Sequence, residues 1–290
     1  MQSEYQAIYH RFVSVYLPAQ KLTPRTRQEY AWDVDSFLAY LHAVGAPRLA
    51  SLHKYHLQRY LQSACEGINP NTARRKIASL RIFCDLLNKL GQQPRNIADE
   101  VVLPKRKTAV PDCFTLDEIQ PIEAAATRNP EAQAIVSLLL HTGITLSELI
   151  SLKLSDLPLA PTGSFKSNIL RIALPGRHYK ARILPLNPSV INAIEAYLDS
   201  RLLPPDSHLF PNPKGARISA RGMRDKIIAI LHNAGIEGKS PQTFRNTFAA
   251  RLFARGIDVE IVQKMMGHAS KKTTKRYEEA GLHFLQTTLG

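Results

Sequence analysis

At 290 residues the chain can build one large or two modest cores, and its 44% of apolar residues excludes a disordered polymer. Its 38 Lys and Arg against 24 Asp and Glu give a formal net charge of +14 and a pI near 9.8, which favour a polyanionic partner, nucleic acid first and a membrane surface second. No apolar run reaches the roughly 18 residues of a spanning helix, the opening MQSEYQAIYH has no secretory pattern, and the odd, widely spaced Cys65, Cys84 and Cys113 suit a reducing cytoplasm and core packing, with no zinc framework.

Basicity is densest at the front, where residues 1–107 hold 16 Lys and Arg against 8 Asp and Glu. Helices are expected throughout this part. Tyr5, Ile8, Phe12, Val13 and Tyr16 mark a first amphipathic helix. Thr23-Pro24 opens a second in the cap-then-proline manner, with Tyr30, Val34, Phe37, Leu38 and Leu41 as its buried stripe. A third covers about 52–64, and Asn71-Thr72 begins a fourth that carries Ile77, Leu80, Ile82, Phe83 and Leu86. Its basic run Arg74-Arg75-Lys76 suits either a groove-binding helix or a solvated face.

Two prolines, a basic cluster and the lack of helical period in VVLPKRKTAVPDCFT make residues 105–114 the expected linker between a domain at 1–104 and one at 115–290. Composition suits a tether following a duplex as well as a plain solvated one. Thr115-Leu-Asp-Glu118 is a capping-box start, and helices are expected at 115–127 and 130–142, the second apolar nearly all round from Ala134 to Leu140. Alternation in Asn168–Ala173 and Ala181–Leu186 predicts two short strands joined by a polar turn. Helices follow at about 188–201 and 219–235. The tail from 281 to 290, with Leu282, Phe284, Leu285 and Leu289, packs either on its own domain or on a neighbouring subunit.

Residues 240–280 carry the chemistry. Phe244, Phe248, Leu252 and Phe253 recur at helical spacing, Gly256 ends that helix, and Gly267-His268 closes a second one ahead of a polar segment to Tyr277. Arginine forks onto phosphate, histidine can exchange a proton, and a tyrosine oxygen can attack phosphorus. The segment resembles the C-terminal signature of the tyrosine recombinase (phage integrase) family, His-x-x-Arg-His-x-Phe-Ala-x-x-Leu, then Leu-Gly-His, then Thr-Thr-x-x-Tyr. The same places here hold Gln242, Arg245, Asn246, Phe248, Ala249 and Leu252, then Met266-Gly267-His268, then Thr273, Thr274 and Tyr277. The front of the chain is similar to the family's core-binding domain, with Thr26, Tyr30 and Asp33 followed by a late Arg-Arg helix.

The resemblance implies a mainly α protein of two domains: an N-terminal helical, SAM-like core-binding domain, then a catalytic domain of helices with a small antiparallel sheet. It implies a DNA strand cut by Tyr277 as a 3′-phosphotyrosyl link, with Arg245 clamping the phosphate and His268 bonding it, and needs neither metal nor cofactor. It makes Arg25, Arg27, Arg74, Arg75 and Lys76 candidate DNA contacts. It further implies a clamp on double-stranded DNA, a tetramer on two paired sites or a hetero-assembly with another recombinase, a cytoplasmic setting and no membrane partner.

Three departures stand against that pattern. Where the family has Thr-Gly-Leu-Arg-x-Ser-Glu-Leu, this chain reads Thr142-Gly143-Ile144-Thr145-Leu146-Ser147-Glu148-Leu149, so a threonine replaces the first clamping arginine. Gln242 replaces a histidine and cannot exchange a proton near neutral pH. In the turn between the strands, Arg177 stands at the family's lysine, with Lys180 three residues on. An arginine whose pKa exceeds about 12 gives up its proton poorly. A non-enzymatic DNA-binding member of the same fold, acting as partner subunit or regulator, is the alternative that these departures support. An unrelated helix-turn-helix regulator would explain the charge but not the Arg245, His268, Tyr277 spacing. An arginine placed at 145 is expected to raise cleavage unless another cation, with Arg177 and Arg171 the nearest, already serves.

Overall fold

The computed structural model describes residues 2–45, 48–102, 109–160, 164–172, 182–201, 203–204 and 206–289. The chain divides into two compact units, Met1–Thr108 and Ala109–Gly290. Arg177 and Lys180, and the part of the expected linker from 105 to 108, lie outside the described residues.

The first unit is helical. α1 (Gln2–Arg11) runs on through a π-helical turn, Phe12–Tyr16. α2 (Pro24–Ala43) starts as its sequence requires: the Thr23 hydroxyl accepts the Thr26 N–H at 3.2 Å, and Pro24 takes the first position, where no N–H is needed. α3 (Lys54–Cys65) follows. α4 (Pro70–Lys89) begins before the expected Asn71-Thr72, because Asn69 caps it through the Asn71 N–H at 2.9 Å and Pro70 is its first residue. Phe12, Val34, Phe37, Leu41, Leu57, Leu80 and Phe83 form the core, to which Tyr30 and Ile82 contribute from half-buried positions. Cys84 is buried in it, whereas Cys65 here and Cys113 in the second unit are only half-buried. All three are free thiols.

The second unit begins before its first helix. Pro111 is buried and Phe114, 1% exposed, lies edge-on to Phe244 at 4.7 Å, so residues 111–114 of the expected linker belong to this unit's packing. α5 (Leu116–Ala126) has the capping box that its sequence predicts: Thr115 and Glu118 exchange bonds at 3.2 and 2.9 Å. α6 (Pro130–Thr142) buries Ala134, Ile135, Val136, Leu138, Leu139 and Leu140, covering nearly every side of the helix. α7 (Leu146–Ser151) is a six-residue helix, and β1 (Ile169–Ile172) and β2 (Arg182–Pro185) pair antiparallel with Leu170 opposite Leu184 and Ile172 opposite Arg182.

α8 (Pro188–Asp199) and α9 (Ala220–Asn233) complete the support for α10 (Pro241–Ala254), which is buried on almost all sides. α11 (Val259–Met266), the short α12 (Lys271–Lys275) and α13 (Glu278–Leu289) follow. α13 packs on α10 of the same unit. A Cβ at Gly281 would come within 2.6 Å of the Cβ of Phe253, so that glycine sets how closely the two helices approach. Of the two places open to the tail, the described part therefore takes its own unit. No helix among the described residues is long and apolar enough to cross a membrane.

Candidate active site

Two helix ends define the site. α6 ends at Gly143 with φ +59°, and α11 ends at Gly267 with φ +68°, each in the left-handed conformation that glycine adopts without penalty. A Cβ at Gly143 would also meet the ring of Phe248 at 2.3 Å. Arg245, in the second turn of α10 and 2% exposed, lies between these ends and donates one Nη to the Gly143 carbonyl and the other to that of Met266. Carbonyls at helix C-termini carry partial negative charge and lack intrahelical donors, so a guanidinium there satisfies both bonding and charge. Arg245 thus fixes the junction of α6, α10 and α11.

His268 follows immediately. Gln263 returns to it, its carbonyl accepting the His268 N–H at 3.1 Å and its amide donating to the His268 carbonyl at 3.0 Å. The imidazole Nδ1 is bonded to the Thr274 hydroxyl at 3.0 Å, and its ring stacks on Tyr277 at 6.0 Å with 9° between planes. Burial, then the positive charges of Arg245, Arg182 and Arg276, push its pKa down to about 4. His268 is therefore neutral near pH 7, able to give or take a hydrogen bond but carrying no charge. Tyr277, 4% exposed, packs in an apolar cluster with Phe248, Ala249, Leu252, Val262 and Met266, and the Arg276 guanidinium lies 5.6 Å from its ring centre.

A cleft of about 920 Å³ opens beside this junction, lined by Arg171, Arg182, Lys264, His268 and Lys271 among others. Basic and apolar side chains make up most of its described lining, and the one acidic side chain among the described lining residues, Glu260, is paired with Lys271 at 2.5 Å. His268 and Arg182 form part of the lining, whereas Arg245 and Tyr277 lie behind it. Arg245, His268 and Tyr277 are thus brought together at one helix junction. Gln242 is not drawn in with them: it is exposed, and its amide donates to Asn246 at 3.0 Å, which in turn holds the Asp112 carbonyl at 2.8 Å.

Two residues of the site escaped the sequence reading. Glu148, 2% exposed, accepts both Nη groups of Arg182, which is 7% exposed. Burial alone would raise the Glu148 carboxyl, but the bonds and charge of Arg182, the Thr145 amide and the charge of Arg245 outweigh it and hold the group below the usual carboxylate range. Each residue left a signal. Thr145-x-x-Glu148 has the capping-box spacing, and strand alternation puts Arg182 on the same face as buried Leu184.

Three of the candidate contacts in the first unit, Arg25, Arg75 and Lys76, are held by acids. Asp33, buried, accepts from Arg75, from Lys76 at 3.2 Å and from the Ser79 hydroxyl at 3.0 Å. Arg27 donates to the Leu22 carbonyl at 3.1 Å, Arg25 pairs with Glu29 at 3.1 Å on the exposed side of α2, and Arg74 is half-buried.

Comparison with known proteins comes from three directions. The family model described as phage integrase family matches residues 113–281, and that of the phage integrase N-terminal SAM-like domain matches 10–90. The chain is 31% identical over 271 residues to a tyrosine recombinase XerC of Pelobacter propionicus, covering 91% of this chain and 87% of that protein. It is 28% identical to a tyrosine recombinase XerD of Listeria monocytogenes serotype 4b, covering 92% and 91%. Its fold is similar to that of XerH site-specific recombinase bound to a palindromic difH substrate, at TM-score 0.71, 16% identity and coverage of 98% and 94%. It is also similar to a lambda integrase dimer bound to a COC′ core site, at TM-score 0.73, 17% identity and coverage of 94% and 76%.

Proposed function

The chain belongs to the phage integrase family of tyrosine recombinases, and from that premise we propose that it cuts and rejoins double-stranded DNA at a specific site through a transient 3′-phosphotyrosyl link. The observation that supports this reading is the meeting of Arg245, His268 and Tyr277 at one helix junction beside a basic cleft. In the reaction the Tyr277 hydroxyl oxygen bonds to the scissile phosphorus, loses its proton, and expels the 5′-oxygen, which takes a proton. The new ester keeps the energy of the old one, so rejoining is the same step reversed, with no nucleotide consumed.

Charge gathers on the non-bridging oxygens in the transition state, and donors already in place stabilise it most. Neutral His268, fixed through Nδ1 to Thr274, offers its other ring nitrogen as a hydrogen-bond donor to such an oxygen. Arg245 contributes a buried positive charge behind it. Of the two turn residues, Lys180 is the better proton donor to the 5′-oxygen, because its ammonium releases a proton far more readily than the Arg177 guanidinium. Tyr277 lies in an apolar cluster, so its hydroxyl reaches phosphorus only after α12 and the start of α13 move. DNA binding is the event that drives this.

Arg25, Arg27, Arg74, Arg75 and Lys76 remain the proposed contacts of the first unit, the last two only if DNA phosphates draw them from Asp33. The working assembly is a tetramer on two paired sites, or a mixed one with a second recombinase, in the cytoplasm. A second reading, a DNA-binding subunit of low activity, is favoured by the single fact that Thr145 stands at the family's first arginine.

One experiment separates them. Fragments bound by the protein are recovered from its own genome, and the site is rebuilt as a duplex with a nick beside the scissile position. A covalent adduct that vanishes in Tyr277→Phe is expected. Its absence with the wild-type protein would leave the binding reading standing.

A further inference from the structure

Three side chains meet on one oxygen. Thr145 caps α7: its hydroxyl accepts the Glu148 N–H at 3.2 Å and donates to Glu148 Oε2 at 2.9 Å. The same Oε2 accepts Arg182 Nη2 at 2.8 Å, and Arg245 Nη1 stands 4.0 Å away. The side chain of residue 145 and the Arg182 guanidinium therefore both lie within 3 Å of a single atom. Arg182 reaches this point from β2, not from α7, and forms part of the cleft wall that holds His268. Its Nε is buried and has no hydrogen-bond partner among the described residues. Two guanidiniums around one carboxylate leave one net positive charge, in a place where a buried charge acts strongly.

We infer that Arg182 provides the phosphate-clamping guanidinium that the family places at the position of Thr145, with Glu148 holding it in the cleft wall. This rests on the recombinase reading. Of the nearest cations along the sequence, Arg171 also lines the cleft but from the exposed face of the sheet, opposite the face that carries Arg182, and Arg177 lies outside the described residues. Arg182 takes the non-bridging oxygens of the scissile phosphate by its unpartnered Nε edge, which the phosphate must uncover, and by the arm that phosphate draws from Glu148. The bland rival is that Arg182 is merely the counter-ion of Glu148, serving the fold alone.

The test removes both members of the Glu148–Arg182 pair together, so that neither is left without the other, while Arg245 keeps its bonds to the Gly143 and Met266 carbonyls. In E148Q/R182Q the adduct rate on the nicked site is expected to fall about 100-fold, the order found on losing one preorganised donor to a reacting oxyanion, while the melting temperature stays near that of wild type. Adding T145R to this pair should restore the rate at least tenfold, and T145R alone should change it little. E148Q/R182Q that is folded and cleaves within threefold of wild type overturns the inference. If the pair does not fold, R182K replaces it, keeping the charge beside Glu148 and losing the planar fork. A tenfold fall at unchanged melting supports the assignment, and the wild-type rate refutes it. A second arm needs no cleavage. In a Tyr277→Phe background, R182Q added to E148Q should lower the slope of log affinity against log salt on the intact duplex by about one, as for one lost phosphate contact. If wild type forms no adduct at all, the enzymatic reading fails, and this slope alone decides whether Arg182 touches phosphate.

Discussion

Gly143 carries two constraints at one residue. Its φ of +59° strains any side chain, and a Cβ there meets Phe248 at 2.3 Å. Gly143→Ala should therefore destabilise the second unit by about 3 kcal/mol, backbone strain and overpacking together, and should disturb the carbonyl that Arg245 holds. A denaturant midpoint unchanged from wild type would refute this. The histidines set a pH prediction. His268 and His141 are each pushed down to about 4, by burial first and then by arginines: Arg245, Arg182 and Arg276 for His268, Arg251 and Arg255 for His141. Their folded values lie below the unfolded value of about 6.5, so between those limits the unfolded chain binds more protons and stability falls as pH falls. Above pH 7 neither contributes. Melting measured at pH 7 and pH 5 should show a loss that is smaller in His268→Gln, and an equal loss in both proteins would count against the buried, neutral imidazole. At this scale the sequence made Arg245, His268 and Tyr277 legible because a spaced motif carries them. Glu148 and Arg182 were not, since neither is unusual alone and only the tertiary fold brings Arg182 of β2 onto Glu148 in the first turn of α7.

The elements were read closely where local chemistry decides them. Thr23-Pro24, Thr115-x-x-Glu118 and the apolar run of α6 each name their own structure, and the strands fall within a residue of where alternation puts them. The basic run of α4 shows what local reading misses. Arg75 and Lys76 look free in sequence, but their acid is on α2, some forty residues earlier, and it binds Ser79 as well. The sequence offers Asp33 only as part of the resemblance to the core-binding domain, with Thr26 and Tyr30. This ion cluster joins α2 to α4 at a buried point, where removing one partner leaves the others unsatisfied. Asp33→Asn should loosen the first unit by about 2 kcal/mol, seen as faster hydrogen exchange in α2 and α4 with the amides of α10 unaffected. Faster exchange in both units alike, or in neither, would show that the cluster does not hold the two helices together.

At the scale of the molecule, each unit has an apolar core of its own. That separation was visible in sequence as the change from helical period to a proline-rich, basic stretch, although the second unit starts its packing by Pro111 and not at Thr115. Fragments 1–104 and 109–290 should therefore each melt cooperatively when expressed alone. Neither should hold the recovered DNA site as the intact chain does, because joining two weak contacts to one duplex makes the second contact intramolecular and can raise affinity by about 100-fold or more. The comparison also weighs the two faces of the first unit's basicity. If fragment 109–290 binds as tightly as the whole chain, then Arg75 and Lys76 serve Asp33 and not phosphate, and recognition lies in the second unit. If the intact chain gains the full factor, and gains less of it as salt rises, the front of the chain contributes phosphate contacts, with exposed Arg25 the first residue to replace.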